Sequence, residues 1–376
     1  APDWQPPAPT RTQQVPVKAR VKPASHWGIA KRILGPKSSD AEIRAASFTQ
    51  EPLRPVPGTS TAIETGALAA ALHEDAKDDR QFDAIEDFLE AHPASRWAPV
   101  LHLNLGTVSF EKGYFQSALA HWKAAWDLAK GGEDGVSRDI ANLALAESAK
   151  MNGRIGRVTE LEALLAEAQK RTLTGDARVK IGSASEGAWM MRHQPGVSFM
   201  CGPYALLNVA REQKRDVAKK TEAFLEKHQS PTTGFSIPEV QRMSAELGLK
   251  LQIAKREVGA PIITPSVVHW KLGHFAALVR EVDGRFLLED PTFGHDTFVT
   301  AKAIDREASG YFLVPAGPLP SGWSAATTAE TAQLYGKGFT SEIADATGPW
   351  DHKVGGNCQS LGKAMASYQF HTLAAS

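Results

Sequence analysis

Apolar and polar positions follow a helical period over residues 61–175 of this chain. Apolar side chains recur three and four positions apart, as in Phe82, Ile85, Phe88 and Leu89, and alanine, leucine, glutamate and lysine dominate the segment. This spacing places apolar side chains on one face of a helix. We therefore predict an α-helical domain over this range.

Residues 176–318 have a different pattern, in which two predicted helices are followed by short apolar strands. One helix follows Cys201, and a second begins at Ser236, a residue type that caps helices. The strands are predicted at 249–254, 262–269, 274–282 and 285–289. Asp283 and Gly284, between the last two strands, form a strong hairpin signal. The predicted fold class is α+β, with an antiparallel sheet following the helical domain.

The two ends of the chain differ from these domains in composition. Residues 1–60 are rich in proline, which fixes φ and removes a backbone donor, so we predict an extended arm or linker. Residues 319–376 are rich in glycine, serine and alanine. They are predicted to form a surface segment or to lead into a further region.

Composition restricts the possible partners of the protein. The 376 residues include 42 basic and 42 acidic side chains, so charge does not favour nucleic acid or an anionic membrane as partner. No apolar run reaches the roughly 20 residues of a membrane helix. Two cysteines are too few for a disulfide scaffold or a zinc cluster, and no cofactor or metal is predicted. The start at Ala1 fits a removed signal peptide or a sequence boundary, and favours an exported protein only slightly.

The helical domain resembles tetratricopeptide repeats. The resemblance rests on a Leu-Gly pair at 105–106, a Gly-Tyr turn at 113–114 and the small Ala118, with a weaker second unit at 141–168 and its turn at 152–154. It implies a short solenoid with a groove for a protein partner, or a clamp on the following domain. An ordinary bundle of helical hairpins is the alternative.

Cys201 carries the strongest chemical signal, because it lies where a helix begins. Pro203 fits the first turn of that helix, and Gly202 lets a substrate backbone approach. A helix N-terminus and a nearby imidazolium both favour the thiolate, which is the nucleophilic form. His274 on a strand and Asp290 after the next strand would supply the base and its orienting carboxylate.

The oxyanion hole and the identity of the base are less sharply defined. Gln194, seven residues before Cys201, is predicted to join the Cys201 backbone N–H as oxyanion donor, with His193 in reserve. His269 competes with His274 for the role of base. We prefer His274 and expect His269 to pack beside the neighbouring tryptophan.

Two further alternatives concern the thiol and the carboxylate. Cys201 is also compatible with a buried structural residue, or with a disulfide to Cys358. A two-residue turn would pair Asp290 with Ala277, on the face opposite His274. Asp290 must therefore lie past the strand end, or a β-bulge must shift the register.

The ordered motifs resemble the bacteriocin-processing, double-glycine family of cysteine peptidases over about 190–318. The matching stretches are 201–206, 265–270, 273–278 and 290–294. The resemblance implies a papain-like domain that hydrolyses a peptide or protein after small residues, typically Gly-Gly or Gly-Ala, without a cofactor. Gly202, Gly273 and Trp270 lie in these motifs and are predicted to contact substrate. The family's glutamine lies six residues before the cysteine, which makes Gln194 the least secure assignment.

The C-terminal region adds two hypotheses. Gly355 and Gly356 are a candidate site of self-processing, with a flexible glycine turn as the alternative. Residues 355–376 are similar to the start of bacterial Rhs/YD-repeat shells, which are extracellular. Two further functions stay open for the chain, namely a catalytically silent peptide-binding module with a peptidase-like fold and a thiol-dependent acyl transferase.

Overall fold

The computed structural model describes residues 38–46, 52–77, 82–213, 221–293 and 296–340. The helices are α1 (Asp40–Ala45), α2 (Ala62–Asp75), α3 (Asp83–Ala91), α4 (Ala98–Glu111), α5 (Phe115–Ala129), α6 (Gly135–Arg154), α7 (Val158–Ala168), α8 (Gly175–His193), α9 (Pro195–Ser198), α10 (Cys201–Glu212), α11 (Thr221–Lys227), α12 (Ile237–Ser244), α13 (Ala301–Glu307) and α14 (Thr328–Thr331). The strands are β1 (Phe235–Ser236), β2 (Leu251–Arg256), β3 (Ser266–Trp270), β4 (His274–Val282), β5 (Arg285–Glu289), β6 (Thr297–Val299), β7 (Ala308–Pro315), β8 (Trp323–Ala325) and β9 (Tyr335–Gly336).

The predicted α+β class is confirmed. Helices α1–α9 precede an antiparallel sheet of seven strands in the order β6-β5-β4-β3-β7-β2-β8, and β1 pairs separately with β9. One face of the sheet shares an apolar core with the helical domain, through residues such as Ala276 and Phe312. The opposite face packs against α10 and α12, through residues such as Phe275 and Leu313. The sheet is therefore the middle of three layers.

The helical domain is built from helices that approach closely at small residues. A Cβ on Gly106 of α4 would overlap the indole of Trp122 on α5, so glycine allows this pair to pack. Ala118 is fully buried at the same interface. The second pair, α6 and α7, turns at 155–157 rather than at the predicted 152–154, because α6 continues through Arg154. The relation to tetratricopeptide repeats stays a prediction.

The helical region extends beyond its predicted end at residue 175. Helix α8 falls within the range assigned to the second domain, yet its Ala184 and Ala188 share an apolar cluster with Ala149 of α6. These small side chains let α8 lie against α6 as a further helix of the first layer. Among the described helices, none has the length and apolar composition needed to cross a membrane.

Segments at both ends of the described chain join the fold rather than trail from it. In the proline-rich region, Ile43 of α1 and Leu53 are fully buried in the main core. The range 319–340, predicted as surface, contributes β8, α14 and β9. Trp323 of β8 packs edge-on against Phe312. The glycine-rich range thus contributes a large aromatic side chain to this edge of the sheet.

Aromatic side chains connect the helical domain to the sheet. Phe115 of α5 contacts Trp270 of β3, with ring centroids 5.4 Å apart, and Phe293, with centroids 4.4 Å apart. Phe110 of α4 meets Phe293 edge-on at 5.6 Å. Glu307 adds a polar link, because its carboxylate accepts a 2.8 Å hydrogen bond from the Gln116 backbone N–H.

Replacing Phe115 by alanine is expected to lower the free energy of unfolding by about 3–5 kcal/mol. The side chain is fully buried between two aromatic neighbours, so its removal leaves a cavity at the junction of the two domains. Chemical denaturation followed by circular dichroism measures the change. Ile63, which is 83% exposed, provides the matched control, since Ile63→Ala should stay within about 0.5 kcal/mol. Equal effects of the two substitutions would contradict the interface described here.

Candidate active site

Cys201 is the first residue of α10, where the sequence predicted a helix to begin. Its side chain is a free thiol and only 1% of the residue is exposed. The first amide groups of a helix have no partner within it, so their N–H bonds point outward at this end. Gly202 packs inward, because a Cβ there would lie 2.7 Å from Val240 and 3.4 Å from Phe275. This glycine therefore brings α10 onto the sheet rather than contacting the cleft.

His274 begins β4, and its ring lies between an aromatic side chain and a carboxylate. Its Nε2 is 2.5 Å from Oδ2 of Asp290, and its ring meets Phe293 edge-on at 5.1 Å. The second oxygen of Asp290 accepts a 2.9 Å hydrogen bond from the Thr292 backbone N–H, which fixes the carboxylate after the strand. His274 is fully buried and Asp290 is 5% exposed.

A β-bulge places this carboxylate on the correct face. The hairpin turns at Asp283 and Gly284, which both have positive φ, and its pairing shifts by one residue between Leu278 and Arg280. Ala277 therefore pairs with Glu289 rather than with Asp290. The structure thus combines the two solutions offered by the sequence, because it has the bulge and also places Asp290 just past the end of β5.

The charged neighbours of His274 decide its protonation. Burial alone would lower the pKa of this imidazole, but the neighbouring Asp290 and Cys201 side chains outweigh burial and raise the pKa to about 10. The other ring nitrogen, Nδ1, makes no well-aligned hydrogen bond among the described residues. Cys201 lies on that side of the ring, because a Cβ added to Gly338 would lie close to both this nitrogen and the Cys201 Cβ. Cys201, His274 and Asp290 thus come together as predicted.

His269 occupies a different environment from His274. Burial lowers its pKa to about 4, so the ring is neutral at physiological pH. Its Nδ1 lies 2.9 Å from the Ser309 hydroxyl, and its Nε2 lies 3.0 Å from the backbone carbonyl oxygen of Tyr335. A carbonyl oxygen can only accept a hydrogen bond, so the ring nitrogen that faces it, Nε2, carries the proton. His269 therefore binds the chain at Tyr335, and the structure does not bring it to Asp290.

Gln194 stands apart from the buried set. The residue ends α8 and is exposed, and its backbone carbonyl accepts a hydrogen bond from the hydroxyl of Ser198. Among the described residues, no hydrogen bond joins its side chain to Cys201 or His274. Gln194 lies seven residues before Cys201 instead of six, and the short helix α9 between them accommodates the additional residue. His193 is likewise exposed, with its ring stacked on Trp189.

Of the other two residues predicted to contact substrate, Gly273 lies at the cleft and Trp270 lies in the core. Gly273 lies at the cleft, where its carbonyl accepts a 2.8 Å hydrogen bond from the Lys337 N–H. Its φ of +77° favours glycine. Trp270, predicted to contact substrate, is instead fully buried against Phe115, because its side chain points from β3 into the helical domain.

The sequence analysis missed a segment that covers the thiol. Residues 335–340, here called the cleft segment, cross the start of α10, and the Gly338 N–H points at the Cys201 sulfur, 3.2 Å away. A Cβ on Gly338 would overlap the His274 ring and lie 2.9 Å from the Cys201 Cβ. The alternating glycines at 336 and 338 are the only signal in the sequence, and they also occur in ordinary turns.

Other predicted features do not enter this site. Among the described residues, no group of three or more His, Cys, Asp and Glu side chains is arranged to hold a metal ion. Cys358, the possible disulfide partner, and the glycines at 355 and 356 lie outside the described residues, as does the segment predicted to resemble Rhs/YD-repeat shells. Comparison with known proteins adds no relative, since no family model, curated protein or solved structure matches the chain.

Proposed function

We propose that this protein is a cysteine peptidase with a papain-like catalytic domain. Cys201 is the nucleophile, His274 the general base and acid, and Asp290 the group that orients the imidazole. The observation that carries the proposal is the buried chain of contacts from carboxylate to imidazole to thiol at a helix N-terminus. Neither a buried structural cysteine nor a core histidine accounts for all three groups together.

The electrostatics of the site support nucleophilic catalysis. A pKa of about 10 keeps His274 protonated at neutral pH, and the imidazolium favours the thiolate form of its neighbour. In the reaction the thiolate attacks a peptide carbonyl, and the imidazolium donates its proton to the departing amine. His274 then takes a proton from the water that hydrolyses the thioester. Asp290 stabilises the imidazolium in each of these steps.

The oxyanion would be bound by backbone rather than by Gln194. The Cys201 N–H belongs to the first turn of α10, where amide groups have no intrahelical partner. This end of the helix also carries the positive pole of its dipole, which favours developing negative charge. The proposal therefore rests on one donor from α10, and Gln194 keeps no role in it.

A catalytically silent peptide-binding module is the second candidate. Two observations favour it, namely the exposure of Gln194 and the coverage of the thiol by the cleft segment. In this function the same cleft would hold an extended peptide through backbone hydrogen bonds, without turnover. An acyl transferase would use the same thiol but pass the acyl group to an amine, which an amine-incorporation assay distinguishes from hydrolysis.

Hydrolysis of a peptide added in trans tests the peptidase proposal. Gly338→Val in the full chain is expected to displace the cleft segment, because a side chain there overlaps His274. The substrate is a synthetic peptide with the sequence of residues 333–340, and products are identified by mass. The variant that also carries Cys201→Ala is expected to release no product above the uncatalysed rate.

The matched glycine control is Gly182→Ala, which places a Cβ in open space on α8 and leaves the cleft closed. We expect this variant to hydrolyse the added peptide much more slowly than Gly338→Val does. A folded Gly338→Val variant that binds the peptide without cutting it would favour the silent module and defeat the peptidase proposal. Circular dichroism and a thermal melt establish folding.

A further inference from the structure

The cleft segment lies between the two domains as an extended peptide held by its backbone. On the catalytic side, the Lys337 N–H donates to the Gly273 carbonyl and the Thr340 N–H to the Ser198 carbonyl, both at 2.8 Å. On the other side, the Phe339 N–H donates to the carbonyl of Arg154, at the end of α6, at 2.7 Å. Backbone hydrogen bonding of this kind is a common way for proteins to bind peptides.

The pairing continues upstream, where β9 adds to β1 and His269 holds the Tyr335 carbonyl. Lys337 projects its ammonium over the ring of Phe199, 4.6 Å from the centroid. A cavity of about 290 Å³ lies beside it, lined in part by Glu160. The same cavity is also lined by Arg157 and Arg192, so backbone contacts rather than charge complementarity hold the segment here.

Two glycines of the segment lie where no other residue fits. A Cβ on Gly336 would overlap the ring of Phe275, and a Cβ on Gly338 would overlap the ring of His274. The second of these glycines lies directly at the thiol, with its amide nitrogen 3.2 Å from the sulfur. The position next to the nucleophile therefore accepts glycine alone.

The directions of the amide groups identify the bond presented to the thiol. In a trans peptide the N–H and the C=O point in opposite directions. The Gly338 N–H points at Cys201, so the Lys337 carbonyl points away from it, and a Cβ on Gly156 would meet that oxygen. The Phe339 N–H points at Arg154 on the helical side, so the Gly338 carbonyl points away from the helical domain. Of the two peptide bonds that flank Gly338, the bond to Phe339 is thus the one whose carbonyl points away from the helical domain.

We propose that the protein cleaves its own chain between Gly338 and Phe339, with the cleft segment as the substrate of Cys201. This inference rests on the proposed function and names its substrate, a Gly-x-Gly sequence that ends at the thiol. Cleavage separates the peptidase from everything that follows residue 338. The self-processing hypothesis drawn from the sequence thereby moves from 355–356 to a bond that lies at the thiol.

The chemistry uses only the chain and water. The Cys201 sulfur forms a bond to the carbonyl carbon of Gly338, and the carbon–nitrogen bond to Phe339 breaks. The proton held by His274 passes to the Phe339 nitrogen, which becomes a new amino terminus. Water, deprotonated by His274, then attacks the thioester. The products are a carboxylate at Gly338 and the regenerated thiol.

Intact-mass spectrometry of the purified full chain tests the inference. The wild-type protein is expected to yield two fragments, residues 1–338 and 339–376, while Cys201→Ala stays at full mass. Gly338→Ala is expected to slow cleavage at least about 10²-fold, because the added Cβ displaces the carbonyl from the thiol. Gly182→Ala, with its Cβ in open space, is expected to cleave at the wild-type rate.

Four results would overturn the inference. Cleavage at another bond, or cleavage that persists in Cys201→Ala, would each show that the cleft segment is not the substrate. A wild-type chain that stays intact, while Gly338→Val hydrolyses the added peptide, would leave the peptidase standing and make the segment an inhibitor. If neither cleavage in the chain nor hydrolysis in trans occurs, the proposed function fails as well.

Discussion

His274→Ala, introduced together with Gly338→Val, is expected to lower peptide hydrolysis by at least about 10³-fold. The substitution removes the group that holds the thiol's proton and later protonates the leaving amine, and general acid–base catalysis alone contributes factors of about 10²–10⁴. The Asp290 carboxylate also loses its partner and stays buried without a counter-charge. Single-turnover rates with the peptide of residues 333–340 measure the loss.

His269 supplies the matched control for this experiment, since it is the other buried histidine of the site. It binds the Tyr335 carbonyl and Ser309 and makes no contact with Asp290. His269→Ala on the same background should therefore keep the rate of the chemical step within about tenfold. Equal losses from the two substitutions, or a His274→Ala variant that retains its rate, would contradict the assignment of the base.

Activity is expected to persist to alkaline pH. The pKa of His274 is raised to about 10, so the imidazolium survives well above 6.5, the usual pKa of histidine. The alkaline limb of kcat/KM should accordingly lie well above pH 6.5. Asp290→Asn should move this limb to lower pH. Burial lowers the pKa of His274, and without the Asp290 carboxylate less negative charge opposes that effect. A limb near 6.5 in the parent protein would contradict the described environment.

Folding stability should show the same linkage. His274 binds its proton more tightly in the folded chain, with a pKa of about 10, than in the unfolded chain, where the value is near 6.5. The stabilisation of the folded chain by this tighter proton binding is therefore fully present below pH 6.5 and is lost as the pH rises through 10. On the Gly338→Val background, the unfolding free energy should fall over this window relative to that of the variant that also carries His274→Gln.

Local patterns were sufficient to predict four of the seven strands in the large sheet and the two helices that pack on it, α10 and α12. Strands β4 and β5 have the predicted bounds, because the Asp-Gly turn fixes where the hairpin reverses. Helix α12 begins where expected, since Ser236 and Glu239 form a capping box. The same hairpin brings His274 and Asp290 within contact, once the bulge restores their common face.

Features that depend on distant backbone contacts were not predictable. The cleft segment is held by amide and carbonyl groups that every residue carries, so its binding leaves little trace in side-chain identity. Trp270 shows the related difficulty. Its motif indicates a place near the substrate, but only the folded structure shows that Phe115 of the helical domain covers the indole.

The oxyanion donor illustrates how a local shift changes a site. The sequence predicts Gln194 as oxyanion donor although it lies seven residues before Cys201 rather than six, and the turn of α9 accommodates the additional residue. The glutamine then lies at an exposed helix end, while Ser198 and Cys201 face the cleft segment. The sequence alone could not show whether Gln194 lies at the cleft or outside it, because α10 begins at Cys201 in either case.

The most direct test of the account is the identity of the products released from the added peptide. With Gly338→Val as the enzyme, mass spectrometry should find one fragment ending in Gly-Lys-Gly and another beginning with Phe-Thr. Both fragments should disappear when Cys201 is also replaced by alanine. An uncut peptide in the presence of the folded variant, or cutting that does not require Cys201, would contradict the assignment of this protein as a cysteine peptidase.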